Sequence, residues 1–288
     1  MSVRPLKSEG PASAPADWQP LVLAVAPNGA RKTKADHPAL PIEPEELAET
    51  AKACAAAGAS MIHLHVRDAE GQHSLDVGRY LAATEAIRAA VGEDLVVQIT
   101  TEAVGRYAPA AQMDCVRRLR PEAASFALRE LIPDAESEAE AARFFAWVAE
   151  AGVQAQFILY DAEDLRRFGA LRERGILPAG PQFLLFVLGR YAAGQRSEPS
   201  DLLPFLAALQ APDPWSVCAF GPKEAAAALT AAALGGHARV GFENNLLLPD
   251  GSTAADNAAV VGQLAESVRR LGRPLATAAQ VRLLRAES

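Results

Sequence analysis

No apolar stretch in this sequence approaches the about 20 consecutive residues that a membrane-spanning helix requires. The N-terminal stretch also lacks the charged-then-apolar order of a secretory signal, so the expectation is a soluble, cytoplasmic protein. Cysteine is scarce: Cys54, Cys115 and Cys218 are three residues at wide spacing with no C-x-x-C pair. That count argues against a disulfide framework and against a thiolate zinc site, and it fits a reducing compartment. Positive charge is in deficit, with 28 Lys and Arg against 35 Asp and Glu and a formal charge of -7. Such a chain presents no uniform field to phosphate backbones, which makes nucleic acid a poor partner. Neither a Walker sequence nor G-x-G-x-x-G occurs; only Gly194, Arg196 and Ser197 offer a weak phosphate-docking signal.

What is present is enough apolar residue for a large core. Half of the 288 residues are hydrophobic, a length and composition that suit one large barrel domain. Residues 1–20 carry Pro5, Pro11, Pro15 and Pro20 among Ala and Ser, which forbids a continuous helix or central strand and reads as a tail. From residue 21 to 288, short β-type runs alternate with longer helical segments, the pattern of a parallel sheet. The strand candidates are 21–26, 61–66, 95–101, 124–128, 154–160, 182–188, 215–220 and 238–244. Pro44, Glu45 and Glu46 open one helix and Gly58 closes it; Gly92, Gly152, Gly175 and Gly235 close others. Eight strand–helix units predict an α/β fold of the closed (β/α)8, or TIM-barrel, type, with a doubly wound open sheet as the alternative. Leu271-Gly272-Arg273-Pro274 followed by 277–285 adds one closing helix.

The run Met61-Ile62-His63-Leu64-His65-Val66-Arg67-Asp68 alternates strictly. Because strand side chains repeat every two residues, His63, His65 and Arg67 share one face, and in a barrel that polar face turns inward near the C-terminal mouth. The last strand repeats the pattern, with Val240 and Phe242 outward and Arg239, Gly241 and Glu243 inward. Strands 2 and 8 of a closed barrel both flank strand 1, so His63, His65 and Glu243 can converge. Two imidazoles and a carboxylate suit zinc with an open coordination position, and the same set suits non-haem iron. The competing reading of Glu243 is a salt bridge with Arg239 or Arg67.

Asn28-Gly29-Ala30-Arg31 reads as a turn, followed by Arg31, Lys32, Lys34 and His37 in one loop. The lysines read as a solvated charge run, and Arg31, nearest the strand end, as a contact for an anionic substrate. Gln98, Thr100 and Glu102 follow the inward alternation of strand 3.

These residues resemble the β-keto acid cleavage enzyme family. The resemblance rests on Asn28-Gly29-Ala30, on His37-Pro38-Ala39-Leu40-Pro41-Ile42 leading into Pro44-Glu45-Glu46, and on His63-Leu64-His65-Val66-Arg67-Asp68. It continues through Gln98-Ile99-Thr100-Thr101, Pro121-Glu122 with Ser125, Gly235-Gly236-His237 with Arg239-Val240-Gly241-Phe242-Glu243, and Leu271-Gly272-Arg273-Pro274. It implies a zinc-bearing (β/α)8 barrel with His63, His65 and Glu243 as ligands and Arg239 as a catalytic group. It also implies a homotetramer, and Thr100, Thr101 and Ser125 join Arg31 as the candidate substrate contacts. The implied chemistry is a Claisen-type exchange: a small β-keto acid chelates the metal, acetyl-CoA condenses with it, and the adduct splits to acetoacetate and a new acyl-CoA. The chain departs from the family pattern at four places. Asn244 stands where an aspartate base is usual, Glu102 replaces a glycine, Arg31 replaces a glutamate, and Arg129-Glu130 replaces Gly-Ser. Glu102 is therefore the candidate replacement base, with a charge pair to Arg31 as its other reading. A hydrolase or lyase without CoA, and a non-catalytic barrel that binds metal and keto acid, are the alternative functions.

Overall fold

A computed structural model describes residues 18–284. The tail expected at 1–20 lies outside the described residues except for its last three, and the closing helix is described up to 284. The strands are β1 Leu23–Val25, β2 Met61–Leu64, β3 Val66–Arg67, β4 His73–Ser74, β5 Val96–Thr100, β6 Ala123–Ala127, β7 Gln154–Leu159, β8 Phe183–Leu188, β9 Trp215–Ala219 and β10 His237–Val240. The helices are α1 Pro44–Ala57, α2 Val77–Val91, α3 Pro109–Leu119, α4 Leu128–Leu131, α5 Glu138–Glu150, α6 Ala162–Glu173, α7 Leu203–Ala208, α8 Glu224–Ala233, α9 Asn257–Arg270 and α10 Ala278–Leu283. Eight strands close a parallel barrel in the order β1-β10-β9-β8-β7-β6-β5-β2. Since β1 pairs with both β10 and β2, the open-sheet alternative is excluded. No helix among the described residues is long and apolar enough to cross a membrane.

Local chemistry explains the helix ends. Glu43 and Glu46 form a reciprocal capping box around Pro44 at the start of α1, and Gly58 ends that helix in the left-handed region at φ 119°. Asp76, Asp161 and Asp256 cap α2, α6 and α9 by accepting backbone N–H groups. The strands are buried on both faces, as in parallel sheets covered by helices. Outside the barrel, Phe126, Phe144, Phe145, Phe157 and Phe168 pack edge to face or tilted against one another. Phe144 and Phe145 are thus core, while the half-buried Trp147 stacks on Phe144.

The barrel interior is sorted by height. At its floor Val22, Ala24, Met61, Val96 and Ala123 pack with Ala278 and Val281 of α10, which plugs the N-terminal end. Arg273, fully buried, donates to the carbonyls of Gln19, Ala232, Gly235 and Gly236, and its guanidinium lies over the Trp18 ring.

Several expected strands are shorter than the sequence suggests, and two of these lead to the candidate ligands. The run 61–66 breaks at His65, and Val66–Arg67 pairs instead with His73–Ser74 in an antiparallel hairpin above the barrel. The run 238–244 stops at Val240, because Gly241 takes φ 133° and approaches the Ala26 carbonyl so closely that a Cβ would stand 2.6 Å from its oxygen. From there the chain turns back, with Asn244 and Asn245 donating N–H bonds to Gly241 O.

Candidate metal centre and active site

Each ligand candidate is fixed from a different direction. His63 points inward from β2, and its Nδ1–H donates to Gln98 Oε1 at 2.7 Å. Gln98 Nε2 donates to Gln156 Oε1 at 3.1 Å, Gln156 Nε2 to Ser216 Oγ at 3.2 Å, and Ser216 Oγ to Leu184 O at 3.3 Å. This buried row has one consistent donor direction, so the proton sits on His63 Nδ1 and the Nε2 lone pair faces the mouth. The backbone of His65 is held by Asn28, whose Nδ2 donates to His65 O and Pro41 O.

Glu243 arrives on the turn after β10 rather than by strand alternation. Glu243 N–H donates to Ala26 O, Phe242 N–H to Asn257 Oδ1, and Gly241 N–H to Glu224 Oε1. Glu224 is fully buried, and burial pushes its carboxyl up to about 8 despite those N–H donors. Lys32 donates to Glu243 O at 2.7 Å. That corrects the expectation of a solvated charge run for this lysine, since burial lowers its pKa.

These supports bring Glu243 Oε2 to 3.8 Å from His63 Nε2 and 3.5 Å from His65 Nε2. One donor atom from each of the three residues lies within 4.8 Å of the others. Both His65 ring nitrogens and Glu243 Oε2 are buried without a hydrogen-bond partner. Unsatisfied buried acceptors facing one another are costly unless a cation sits among them, so the residues fit a metal ion. Burial, then the Arg239 charge, hold His63 well below the usual imidazole range, in the neutral form that ligates. Burial alone would raise Glu243, but Arg239, then His65 and His63, outweigh it and hold the carboxyl well below its ordinary value.

Glu243 faces the partners of both sequence readings at once. Its Oε1 accepts from Arg239 Nη2 at 3.4 Å while its Oε2 faces the histidines. Arg67 takes no part, because its guanidinium donates to the carbonyls of Gly29, Lys32 and Gly71 and pins the loop after β1. Arg239 is buried, also donates to Cys218 Sγ, and leaves its Nε without a partner.

Glu102 lies at the same mouth. Its Oε1 accepts from Arg31 Nη1 and Arg190 Nη2, both at 3.2 Å, and its Oε2 stands 4.0 Å from His65 Nδ1. Burial raises its pKa, against the opposing charges of His65, Arg31 and Arg239. Thr100 lines the cavity and accepts Glu102 N–H on its hydroxyl. The Thr101 hydroxyl is turned to Ser125 O, and Ser125 Oγ is buried without a partner. Asn244 sits in the turn, buried, with both side-chain amide atoms unpartnered. Arg129 and Glu130 act in the frame around the mouth: Arg129 pairs with Asp161 and Asp164, and Glu130 accepts from Ala103 N–H and Gln112 Nε2.

The sequence reading missed Arg190, His73 and Tyr160. Arg190 follows Leu188-Gly189 in the loop at the mouth end of β8, where strand alternation no longer decides which way a side chain faces. His73 Nε2–H donates to Glu102 O and its ring lies 5.1 Å from that of His65. It reaches there through the β3–β4 hairpin, which carries no signal as short as two residues per strand. Ser197 Oγ donates to Phe220 O, so this part of the Gly194–Ser197 loop is tied to the cavity rim.

The sequence matches the model of the beta-keto acid cleavage enzyme family over residues 20–284. The chain belongs to that family. Among relatives of this β-keto acid cleavage enzyme family member, the 3-keto-5-aminohexanoate cleavage enzyme of Acetoanaerobium sticklandii is 29% identical over 91% of this chain and 96% of the relative. The 3-oxoadipate:acetyl-CoA acetyltransferase of Cupriavidus necator is 29% identical over 92% and 94%. The solved apo structure of ObcA superposes with a TM-score of 0.70 at 18% identity, over 86% of this chain and 66% of that longer one, which shows the shared fold. As a member of the β-keto acid cleavage family, the protein is an enzyme of carbon–carbon bond cleavage and acyl transfer.

Proposed function

We propose that this protein is a zinc-dependent β-keto acid cleavage enzyme that exchanges acyl groups between a small β-keto acid and acetyl-CoA, giving acetoacetate and a new acyl-CoA. The observation that carries the reading is the set of buried, unpartnered donor atoms on His65 and Glu243, beside His63, at the barrel mouth. His63, His65 and Glu243 would hold the ion, and a bound Lewis acid supplies polarisation of the keto and carboxylate oxygens. In the balanced exchange the C2–C3 bond of the keto acid breaks, C2 becomes bonded to the acetyl carbonyl carbon, and the CoA sulfur passes to the displaced acyl group. Arg239, with a free buried Nε–H, steadies the substrate carboxylate or a developing oxyanion. Glu102 is the candidate base, since burial raises its affinity for a proton while Oε2 remains free of arginine contacts. Arg31 and Arg190, with Lys32, make a cationic rim on the outer entrance that suits the anionic part of acetyl-CoA. A homotetramer in the cytoplasm completes the reading.

The test is metal analysis joined to a product assay. Purified protein is expected to carry close to one zinc per chain, and His65→Ala and Glu243→Ala are expected to fall well below that. Incubation with β-keto acids should release acetoacetate only when acetyl-CoA is present. Consumption of keto acid without acetyl-CoA would replace this reading with a hydrolase or lyase on the same scaffold, and light scattering reports the assembly.

A further inference from the structure

The cavity beside the metal cluster has two chemically different sides. His63, Thr100, Glu102, Arg239 and Glu243 form the polar side. The other side is built by Ala127 at the end of β6, Ile158 on β7, Val187 on β8 and Phe220 just past β9. The wall runs along the mouth from β6 through β7 and β8 to β9, whose neighbour in the barrel order, β10, leads into the turn that carries Glu243. Ala127, Ile158, Val187 and Phe220 pack with Leu185 and Cys218 into one buried apolar cluster, joined by the half-buried Tyr160.

Charge meets that cluster from the polar side, where the buried Arg239 donates to Cys218 Sγ at 3.2 Å and to Glu243 Oε1 at 3.4 Å. On the rim, Arg190 lies with its guanidinium 5.2 Å from the centre of the Phe220 ring and donates to Glu102 Oε1. Its charge is therefore partly offset by a carboxylate. Glu102 Oε1 in turn holds both Arg31 and Arg190, so the carboxylate already faces two cations. The cavity is also small, about 380 Å³ with its open mouth included.

A β-keto acid whose carboxylate and keto oxygens face the polar side must lay its acyl chain along the apolar wall. A charged group on that chain would lose its water and meet no counter-charge there, whereas an alkyl chain gains by burial. We infer that the substrate is a β-keto acid with a short, uncharged aliphatic acyl chain, held by Ala127, Ile158, Val187 and Phe220. This inference rests on the proposed acyl-exchange site.

Three acids of equal chain length separate the possibilities: 3-oxohexanoate, 3-keto-5-aminohexanoate and 3-oxoadipate, which end in a methyl group, carry an ammonium, or end in a second carboxylate. Acetyl-CoA-dependent turnover and calorimetric binding to the metal-loaded protein are both measured. The expected result is a kcat/KM for 3-oxohexanoate at least ~100-fold above either charged acid, with binding in the same order. Equal or better turnover of a charged acid overturns the inference and leaves the acyl exchange standing. Preferential binding of 3-oxohexanoate with no turnover of any acid supports the inference and overturns the exchange. Indifferent binding with no turnover overturns both. Ile158→Ala, checked for metal content and melting, should raise the preference for 3-oxooctanoate over 3-oxohexanoate by about 10-fold. An unchanged preference in folded, metal-loaded variant would remove the wall from its assigned role.

Discussion

At the scale of the residue, the site is built from groups whose neighbours decide their protonation. Gln98 selects the tautomer of His63, so Gln98→Met removes the acceptor that keeps Nδ1 protonated. Metal affinity is expected to drop ~10- to 100-fold, measured by competition with a chelator, and the metal-free protein should also melt lower, because His63 Nδ1–H and Gln156 Oε1 lose their buried partner. Glu102 is argued as a base from burial and from its free Oε2. Glu102→Gln should then lower kcat by at least ~100-fold with KM nearly constant. A raised KM with kcat retained would make it an ion-pair partner for Arg31 and Arg190 alone, and a rise in acetyl-CoA-dependent cleavage in Asn244→Asp would locate the missing base at 244. The two histidines were legible in the sequence because inward alternation on a strand is a short-range property. Arg190 and His73 were not, because a loop and a two-residue hairpin place them, and neither leaves a periodic trace.

At the scale of the element, the decisive piece is the turn that follows β10. Alternation put Glu243 at the mouth for an incomplete reason: the strand ends three residues earlier, and Gly241 at φ 133° redirects the chain. The hint was a glycine inside an otherwise strand-like run, which marks close backbone approach. Gly241→Ala would set a Cβ 2.6 Å from Ala26 O in a backbone conformation that alanine resists. The expected loss is about 2–4 kcal/mol of stability, read by denaturant unfolding, together with weaker metal binding because Glu243 is displaced. A variant with unchanged unfolding and zinc affinity would show that the turn tolerates a side chain. Elsewhere, capping residues and terminal glycines gave the helices their bounds closely, since those signals act within one turn.

At the scale of the molecule, barrel closure depends on the seam between β1 and β10. His237 sits there, and Val22 N–H donates to its Nδ1 at 2.9 Å, which requires an unprotonated nitrogen. Burial, then the charge of Arg273, push its pKa down to about 3. A histidine with a depressed folded pKa stabilises fully above its unfolded value near 6.5, and that contribution fades as pH falls from there toward 3. Between pH 7 and pH 5 the native protein should therefore lose on the order of 2 kcal/mol more stability than His237→Asn, compared by urea unfolding at both pH values. Equal losses would show that the seam does not feel this group. The eight-strand barrel itself was legible because each βα unit carries its own punctuation. Which strand neighbours which is a long-range property, and only chain order and the handedness of βα connections made it inferable.

The row from His63 through Gln98 and Gln156 to Ser216 crosses the barrel from β2 to β9, each member spanning the gap left by the last. Shortening either glutamine by one carbon would break two contacts at once, and no single substitution among the other three could bridge both. The four positions thus form one heritable character. A lineage can keep the row or replace it wholesale with a dry apolar layer, but every single step between those states strands a polar atom in the interior. The histidine kept on one strand therefore constrains what mutation can do on the far side of the barrel.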